Sequence, residues 1–529
     1  MNILQSMELA TDNILMSLNP DDNCLPHFCL AIEEDYTAGF QFHWTGHNVG
    51  RVWDCLLRME EATGIKIPPD VEEKMLVNIK RYFANSDHIC LEPVDANGVG
   101  VNFEIHSLRE GLLTLNGLIK MRHDGWALDK SLKMVDKLES ILNDDGTFNI
   151  KGCDYHNIMP IEKRDGFFDA ITTSGRFVEA LVYHYELTRN PASFRMAQKL
   201  VLFYAHNALH SDGTLNRSLN STHMHSYMGT IRGMLQFARL TKDRLLIKKI
   251  AKTYEVAIRS YLVDESGLCC HGIDEDRLGD PASAADSAQI AYWLACEGFT
   301  EYFDDVERIV RARLIPSQIT QSPKLSPKNE PDCADAVFNL DARVIGGYGG
   351  MLLHPHAGKN NYTDITASVL HSLAYFYMHS LRTEQENLAK VDVLLHFDGE
   401  NELIKVENRR SEYAEMVISF KKDALCKIRV PGFAAPNGIS LLDENGGQKP
   451  LEAEDGFVAV NGSQDQTVTL RYDLPGRETS KMSAGVNYTF RWKGDEIVGI
   501  SPNHVFYPLY NSLQLADGFG EQSGRNVGR

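Results

Sequence analysis

The chain has 529 residues, of which 43% are hydrophobic and 24% charged, and its net charge at pH 7 is −19. That length exceeds what one hydrophobic core usually serves, so we expect at least two domains. The acidic excess argues against nucleic acid and against an anionic membrane as partners, because both bind surfaces rich in Lys and Arg.

The first residues lack the pattern of a signal peptide, because Glu8 and Asp12 interrupt what would have to be its apolar core. No apolar run approaches the ~20 residues of a membrane-spanning helix. The ten cysteines are scattered, which is typical of reduced thiols rather than of a disulfide framework. We therefore expect a cytoplasmic protein; a mature chain that has lost its leader is the alternative.

Helical periodicity dominates residues 1–385, and the helices come in pairs. Phe177, Leu181 and Tyr185 recur at the spacing of one helix face, and the turn at 123–125 separates one pair of helices. About twelve helices in six hairpins would close into an (α/α)6 barrel, while an open solenoid is the alternative.

Three loops after such helices share an acidic residue and a glycine. They are Asp145-Gly146-Thr147, Asp212-Gly213-Thr214 and Glu265-Ser266-Gly267. A histidine follows each loop, namely His156, His223 and His271. Because equivalent loops of a repeat emerge at the same end of the stack, we expect the three histidines to meet at one rim.

The pattern changes near residue 386. Short runs rich in β-branched and aromatic residues alternate with turn signals such as Pro431-Gly432 and Asn461-Gly462. They predict an antiparallel β-sandwich over residues 386–516. Residues 517–529 are rich in Gly and polar side chains, and we expect them to form a flexible tail.

Aromatic and imidazole side chains cluster in several motifs. Trp44 and His47 combine a stacking face with hydrogen-bonding groups, as a sugar site requires, although a helix start with a buried Trp fits equally. His106 shares a helix face with Glu110, so it belongs either to a sugar site or beside a buried ion pair. Tyr348 lies in a glycine-rich stretch that lacks the Lys-Ser/Thr of a phosphate loop.

Two further motifs contain several side chains that could act in catalysis or metal binding. His223, His225 and Tyr227 precede a long amphipathic helix, and without a third ligand at a known spacing they are weak evidence for zinc. The run Cys269 to Asp276 contains two thiols, one imidazole and three carboxylates. Such a run supplies metal ligands, a thiolate or an acid and base, whereas a buried Cys in a solvated acidic turn is the plain alternative.

Several stretches, in this order, resemble the β-L-arabinofuranosidase-like glycoside hydrolases of family 127. Residues 223–233 resemble the family's His-Ala-Asn-Thr segment, and residues 286–308 resemble its Glu-Thr-Cys helix and the Ala-Asp-x-x-Glu-Arg after it. Residues 427–433 resemble its Arg-Ile-Pro-x-Trp strand. The resemblance implies an (α/α)6 barrel before a β-sandwich, glycoside hydrolysis, and a sugar contact for His223.

The chain departs from that family at the metal. Well-studied members hold zinc with a Glu and three cysteines, one of which is the nucleophile. The matching segments here are Ala285-Asp286-Ser287-Ala288 and Ile365-Thr366-Ala367-Ser368, which contain no cysteine. We therefore expect neither zinc, nor a cysteine nucleophile, nor any other cofactor.

The resulting prediction is a glycoside hydrolase that cleaves a plant- or algal-type oligosaccharide with carboxylates. The predicted acid and base are Glu275 with Asp274 or Asp276, with Glu104 opposite. The predicted sugar contacts are Trp44, His47, His106, His156, His223, His225, Tyr227 and Tyr348.

Two other functions remain open from the sequence. One is a polysaccharide lyase or sugar epimerase for uronic-acid glycans, in which His225 or Tyr227 would be the base and Arg51 or Arg232 would neutralise the uronate. The other is a non-catalytic carbohydrate-binding protein. The sequence leaves the oligomeric state open, with a homodimer as one option.

Overall fold

The structure is a computed structural model. It describes residues 1–41, 45–93, 100–103, 105–150, 153, 156–157, 174–219, 224–270, 272, 279–349, 360–386, 388–435, 438–443, 445–483 and 485–502. Among the helices of this part of the chain, none has both the length and the apolar character that crossing a membrane requires.

Six helices form a closed inner ring in which each contacts the next and the last contacts the first. They are α2 (Thr45–Thr63), α4 (Ile105–Arg122), α6 (Phe177–Thr188), α8 (Met224–Thr241), α10 (Pro281–Cys296) and α13 (Thr363–Met378). The chain therefore forms the predicted (α/α)6 barrel, not an open solenoid.

Six helices pack outside the ring, each mainly against one inner helix. They are α1 (Ile3–Met16), α3 (Pro69–Tyr82), α5 (Gly125–Ile141), α7 (Pro191–Asn207), α9 (Arg244–Thr253) and α11 (Tyr302–Ile309). The last two continue as π-helices over Tyr254–Leu262 and Val310–Leu314. The outer partner of α13 is α1, so the first and last helices of the barrel form the sixth pair.

Burial follows the apolar pattern of each helix. In α10 every residue from Pro281 to Ala295 is buried, whereas α3 buries only Met75, Asn78, Ile79 and Tyr82. A helix that is apolar all round belongs in the interior, and one with a single apolar stripe lies at the surface.

Polar side chains fix where the helices begin. The Asp124 carboxylate accepts hydrogen bonds from the backbone N–H groups of Trp126 and Ala127 at the start of α5. Asn190 caps α7 through the N–H of Ala192, with Pro191 in the first turn. These caps satisfy N–H groups that have no partner within the helix, and they confirm the predicted turn at 123–125.

The three acidic-glycine loops have the same structure. Each follows an outer helix and folds as a tight hairpin, closed by the pairs Asn143 N to Thr147 O (2.8 Å), His210 N to Thr214 O (2.9 Å) and Asp264 N to Leu268 O (3.0 Å). Gly146, Gly213 and Gly267 have φ angles of 79°, 97° and 74°, a region that disfavours side chains. The predicted repeat is confirmed for these turns.

Short strands connect the helices. They are β1 (Leu18–Asn19), β2 (Leu25–Pro26), β3 (Cys29–Ile32), β4 (Thr37–Gln41), β5 (Glu92–Pro93), β6 (Gly100–Phe103), β7 (His156–Asn157), β8 (Ser326–Pro327) and β9 (Asn361–Tyr362), with the short helix α12 (Leu340–Arg343) before β9. Strands β8-β4-β3-β9 form one sheet, β5-β6-β7 another, and β1-β2 a third.

The C-terminal region consists of strands, as predicted. Strands β10 (Leu381–Glu386), β11 (Leu388–Val393), β15 (Ala424–Arg429) and β18 (Phe457–Gly462) form one sheet. A second contains β12 (Gly399–Glu400), β13 (Ile404–Arg410), β14 (Tyr413–Phe420), β16 (Ser440–Leu442), β17 (Gln448–Pro450) and β19 (Thr467–Asp473). The two sheets share one apolar core. All pairs are antiparallel except β11 with β15.

The predicted domain boundary at 385/386 stays a prediction. Strand β10 begins at Leu381 and pairs antiparallel with β11, Leu381 opposite Val393. Its polar sequence hides it from a pattern based on apolar alternation. Of residues 386–516, those after 502 lie outside the described part, as does the predicted tail at 517–529.

A third sheet, β20 (Gly476–Ser483), β21 (Val486–Lys493) and β22 (Glu496–Ser501), packs against the barrel. Phe490 and Trp492 of β21 share a core with Phe40 of β4 and with Ile319. The C-terminal region therefore forms two cores, one inside the sandwich and one between the third sheet and the barrel.

Buried charges join helix α11 to the sandwich. Glu307 accepts hydrogen bonds from Arg311 (2.8 Å), from Arg429 on β15 (2.5 Å) and from the backbone N–H of His396 (2.7 Å). Arg311 also bonds to Asp495, between β21 and β22. All these side chains are buried, so the interface depends on each charge having its partner.

Candidate active site

The inside of the inner ring is filled with charged side chains, which we call the bore network. Every inner helix contributes to it. The network consists of Arg51, Asp54 and Arg58 on α2, Arg109 and Glu110 on α4, Glu179 on α6, His225 and Arg232 on α8, Asp286 and Gln289 on α10, Asp364 and His371 on α13, and Arg176 just before α6. Its ion pairs cross between helices and so tie the ring together.

One layer of the network centres on Glu179 and Asp286. Glu179 accepts from Arg109 and from Arg232, both at 2.6 Å. Arg232 also donates to Asp286 at 2.6 Å and to Gln289 at 3.0 Å. Burial would raise the pKa of the Glu179 carboxyl, but Arg232 and Arg109 outweigh it and hold that pKa well below its usual range.

A second group lies beside it. The Asp54 carboxylate faces Nε of Arg58 at 3.1 Å and Nδ1 of His371 at 2.5 Å. Together with the first layer these side chains leave a cavity of only about 10 Å³, lined by Arg51, Asp54 and His371 among others. That is barely the space of one water molecule, so the network closes the bore.

Glu110 lines the same small cavity and is surrounded by cations. Its Oε1 atom is 2.5 Å from Arg109, 3.2 Å from Arg51 and 3.8 Å from Arg176. Burial would raise the pKa of Glu110, but the guanidinium groups lower it to about 2. Gly50 permits this close packing, because a Cβ there would lie 2.3 Å from Cβ of Glu110.

His225 lies between an acid and two cations. Its Nε2 is 3.0 Å from Nη2 of Arg51 and 3.2 Å from Nη2 of Arg176, while its Nδ1 is 2.9 Å from Oδ2 of Asp286. Because guanidinium groups only donate, Nε2 accepts and the ring proton belongs on Nδ1, toward Asp286. Burial, opposed by Asp286, lowers the pKa of His225, so the imidazole is neutral and both its nitrogens are engaged.

His47 and His106 lie at the same end of the bore. The two rings meet edge to face with centroids 5.6 Å apart. Nitrogens of His47 lie 3.8 Å from Glu110 and 3.7 Å from Asp364, and burial lowers the pKa of His47 to about 4. The structure thus brings three of the predicted sugar-contacting histidines, His47, His106 and His225, to one end. It also confirms the buried ion pair that the sequence offered for Glu110.

The inner helices all run in one direction. Residues near their starts, such as His47, His106 and His225, meet around the bore at one end. Residues near their ends, such as Lys120, Arg239 and His379, line a cavity at the other. We call these the N-terminal end and the C-terminal end of the ring.

Two predicted sugar contacts are corrected. Tyr227 is fully buried, and its hydroxyl donates to the backbone oxygens of Ala208 (2.8 Å) and Asn216 (3.1 Å). Tyr348 is fully buried too, with its hydroxyl 3.3 Å from that of Ser6 on α1. Both rings belong to the hydrophobic core and expose no face on which a sugar could stack. The sequence alone does not distinguish a buried tyrosine from one that lines a binding site.

The remaining predicted residues lie on segments that precede inner helices. Trp44, Glu104, His223, Asp274, Glu275 and Asp276 lie outside the described residues, as does His271, and of His156 only the backbone in β7 is described. In the sequence Trp44, Glu104 and His223 come directly before the first residues of α2, α4 and α8.

The bore does not fit a zinc–thiolate centre. Asp286, where the resemblance would put the glutamate ligand, is bound to Arg232 and faces His225. The Cys269 thiol donates to the carbonyl of Gly267, and burial raises its pKa well above the usual value. Within the described ranges no three His, Cys, Asp or Glu side chains are placed to hold a metal together.

Sequence reasoning missed much of the network. Arg176, Glu179 and His371 were not predicted, yet each is a polar residue inside an otherwise apolar stretch. Buried ionised side chains are rare unless paired, so charges on the buried faces of the inner helices were the available signal.

No family model matches the sequence, and no curated protein matches it either. Solved structures do. A family 127 β-L-arabinofuranosidase from Geobacillus stearothermophilus T6 matches with a TM-score of 0.54 at 12% identity, over 86% of this chain and 76% of that one. A glycoside hydrolase matches with a TM-score of 0.56 at 11% identity, over 85% and 77%.

A family 127 β-arabinofuranosidase matches with a TM-score of 0.54 at 13% identity, over 92% of this chain and 78% of that one. Structural matches at such low sequence identity show a shared fold and say nothing about a shared chemistry. The chain has the fold of the family 127 glycoside hydrolases, as the resemblance in the sequence predicted.

Proposed function

We propose that the protein is a glycoside hydrolase whose site lies at the N-terminal end of the ring. The observation that carries the proposal is the closed six-helix ring with the fold of known glycoside hydrolases, plugged below this end by the bore network. Access from one end only would suit a sugar unit at the end of a chain.

The described carboxylates fit a supporting role. Asp54, Glu110, Glu179, Asp286 and Asp364 all have lowered pKa values. A general acid needs the opposite, a carboxyl that is still protonated near neutral pH. We therefore retain Glu275 as the acid and Asp274 or Asp276 as its partner, with Glu104 as the alternative. The carboxylates of the bore network would stay ionised and balance its arginines.

The substrate proposed is an oligosaccharide of plant or algal type. His47 and His106 would offer ring nitrogens to sugar hydroxyls, and Trp44, His156 and His223 would complete the contacts. His225, whose two ring nitrogens are engaged by Arg51, Arg176 and Asp286, would support the site without contacting the sugar. Imidazole nitrogens can donate or accept a hydrogen bond, which suits hydroxyl groups.

The lyase and epimerase alternatives lose their proposed base. The hydroxyl of Tyr227 is bonded to backbone oxygens, and both nitrogens of His225 are engaged. Arg232 is held by two carboxylates and so is not available to neutralise a uronate. A non-catalytic sugar-binding protein stays as the second candidate.

The test is turnover of a panel of neutral aryl glycosides and oligosaccharides by the wild type, Glu275→Gln and Glu265→Gln. We expect Glu275→Gln to abolish hydrolysis, about 10³-fold or more, with an unchanged melting temperature. Glu265→Gln, a matched change on the preceding turn, should keep activity. Undiminished turnover by Glu275→Gln would remove that residue from the mechanism.

Two further outcomes decide between the classes. An absorbing unsaturated product from uronic-acid oligosaccharides would establish a lyase. Binding without turnover across the panel would establish a sugar-binding protein.

A further inference from the structure

A cavity of about 420 Å³ opens at the C-terminal end of the ring. All six inner helices line it, with residues such as Lys120, Tyr183, Gln236, Trp293 and Tyr375. Its floor includes Glu179 and Gln289 of the bore network, which closes the bore. The cavity is therefore separate from the proposed active site.

The charges that line the cavity are mostly paired. Arg58 binds Asp54, Lys120 binds Glu61, and Arg239 binds Glu297. No cation is left over for an anionic ligand among these lining residues. The six inner helices also end around the cavity, and helix C-termini carry partial negative charge, which disfavours anions further.

Hydrogen-bonding capacity remains on the walls. Trp293 donates its indole N–H to the Tyr375 hydroxyl at 2.6 Å, which leaves that hydroxyl its own proton to donate. The amide oxygen of Gln236 is buried and no donor among the described residues reaches it. The amide nitrogen of Gln236 reaches Glu186 only at 3.5 Å.

Aromatic rings form the rest of the wall. Trp293 and Tyr375 meet at 87° with centroids 5.8 Å apart, and Tyr375 stacks on His379 at 4.1 Å. These contacts fix the orientation of the Tyr375 ring between its two neighbours. The volume lies within the range of small-molecule sites, which combine aromatic walls with a few convergent polar groups.

We propose that this cavity is a second, non-catalytic site for a neutral polyhydroxylated ligand, a mono- or disaccharide. Its hydroxyls would donate to the Glu186 carboxylate and accept from the Tyr375 hydroxyl and from the Gln236 amide nitrogen, which is held only by a 3.5 Å contact with Glu186. The site is independent of the proposed hydrolysis.

The test is calorimetric titration with L-arabinose, D-galactose, D-glucose and lactose, with D-galacturonate and choline as charged comparators. Two variants probe the cavity. Leu240→Trp puts a bulky ring into it, and Gln236→Met removes the amide while keeping the length of the side chain. Gln448→Met, on exposed strand β17, is the matched control.

We expect at least one neutral sugar to bind, with affinity reduced at least tenfold by Leu240→Trp and about threefold to tenfold by Gln236→Met. Gln448→Met and Glu275→Gln should leave that binding unchanged. The proposal is overturned if no neutral sugar binds, if binding ignores both cavity variants, or if only a charged comparator binds there. Melting temperatures identify a misfolded variant, and Gln236→Met decides if Leu240→Trp does not fold.

Discussion

Arg232 joins three side chains of the bore network that come from two other inner helices. It donates to Glu179, Asp286 and Gln289, and only 3% of its side chain is exposed. An arginine fits because its planar guanidinium can serve several carboxylates at once. Arg232 is the largest of the charges that keep both buried acids ionised.

Arg232→Met is expected to destabilise the protein by about 3–5 kcal/mol, since it leaves two carboxylates buried without their main partner. Chemical denaturation of the variant measures this. Arg244→Met is the matched control, because Arg244 pairs with Glu297 at the surface with 67% of its side chain exposed; its effect should be about 0.5 kcal/mol or less. Equal effects would contradict the proposed role of burial.

At this scale the sequence predicted the kinds of side chain better than their partners. His47, His106 and His225 do meet, because each stands near the start of an inner helix. Tyr227 and Tyr348 could not be separated from sugar-contacting aromatics, since the sequence does not reveal whether a hydroxyl finds a partner inside the core. Partners such as Arg232 and Glu179 are about fifty residues apart and become neighbours only when the ring closes.

Among the elements, α11 has an unusual position because it belongs to the barrel but bonds to the sandwich. Glu307 on α11 binds Arg429 of β15, and His396 donates its backbone N–H to the same carboxylate. The imidazole of His396 in turn bonds to the Tyr472 hydroxyl at 2.8 Å. Through these contacts the two domains should unfold as one unit.

Arg429→Met is expected to uncouple them. The variant removes the cation shared by Glu307 and Asp304, so scanning calorimetry should give two transitions where the wild type gives one, with the sandwich melting first. Arg471→Met is the control, because Arg471 forms a half-exposed pair with Glu415 inside the sandwich alone. A single transition in both variants would contradict the coupling.

The elements were predictable where local chemistry dictates them. Apolar periodicity with caps such as Asp124 and Asn190 marked the helices, and alternation marked β14 and β19. Strands β10 and β20 were missed because they are polar and are strands only through pairing with β11 and β21. Pairing between distant segments leaves no trace in their own composition.

Taken whole, the molecule keeps many imidazoles neutral in its interior. Burial lowers the pKa values of His27, His47, His184 and His396 to about 4. In the unfolded chain these groups titrate near 6.5. Between those pH values the unfolded state binds more protons than the folded one, so acid favours unfolding.

The melting temperature is therefore expected to fall as the pH drops from about 6.5 toward 4. At pH 5 each of these buried histidines should lower the free energy of unfolding by about 1–2 kcal/mol. Below about pH 4.5 the lowered pKa of Glu110 steepens the loss, because protonation removes its attraction to the arginines. Melting curves across this range test the expectation. His184→Gln should make the slope shallower between pH 6.5 and 4, and a flat profile in the wild type would refute the account.

The pairing of α1 with α13 has a consequence for biosynthesis. The ribosome makes α1 before the other helices of the barrel, and its partner α13 follows more than three hundred residues later, after Tyr362. Until α13 emerges, the nascent ring stays open and its interior charges face water instead of one another. The growing polypeptide must therefore hold five inner helices in a soluble, unfinished arc before closure, a stage at which a chaperone has an apolar seam to bind.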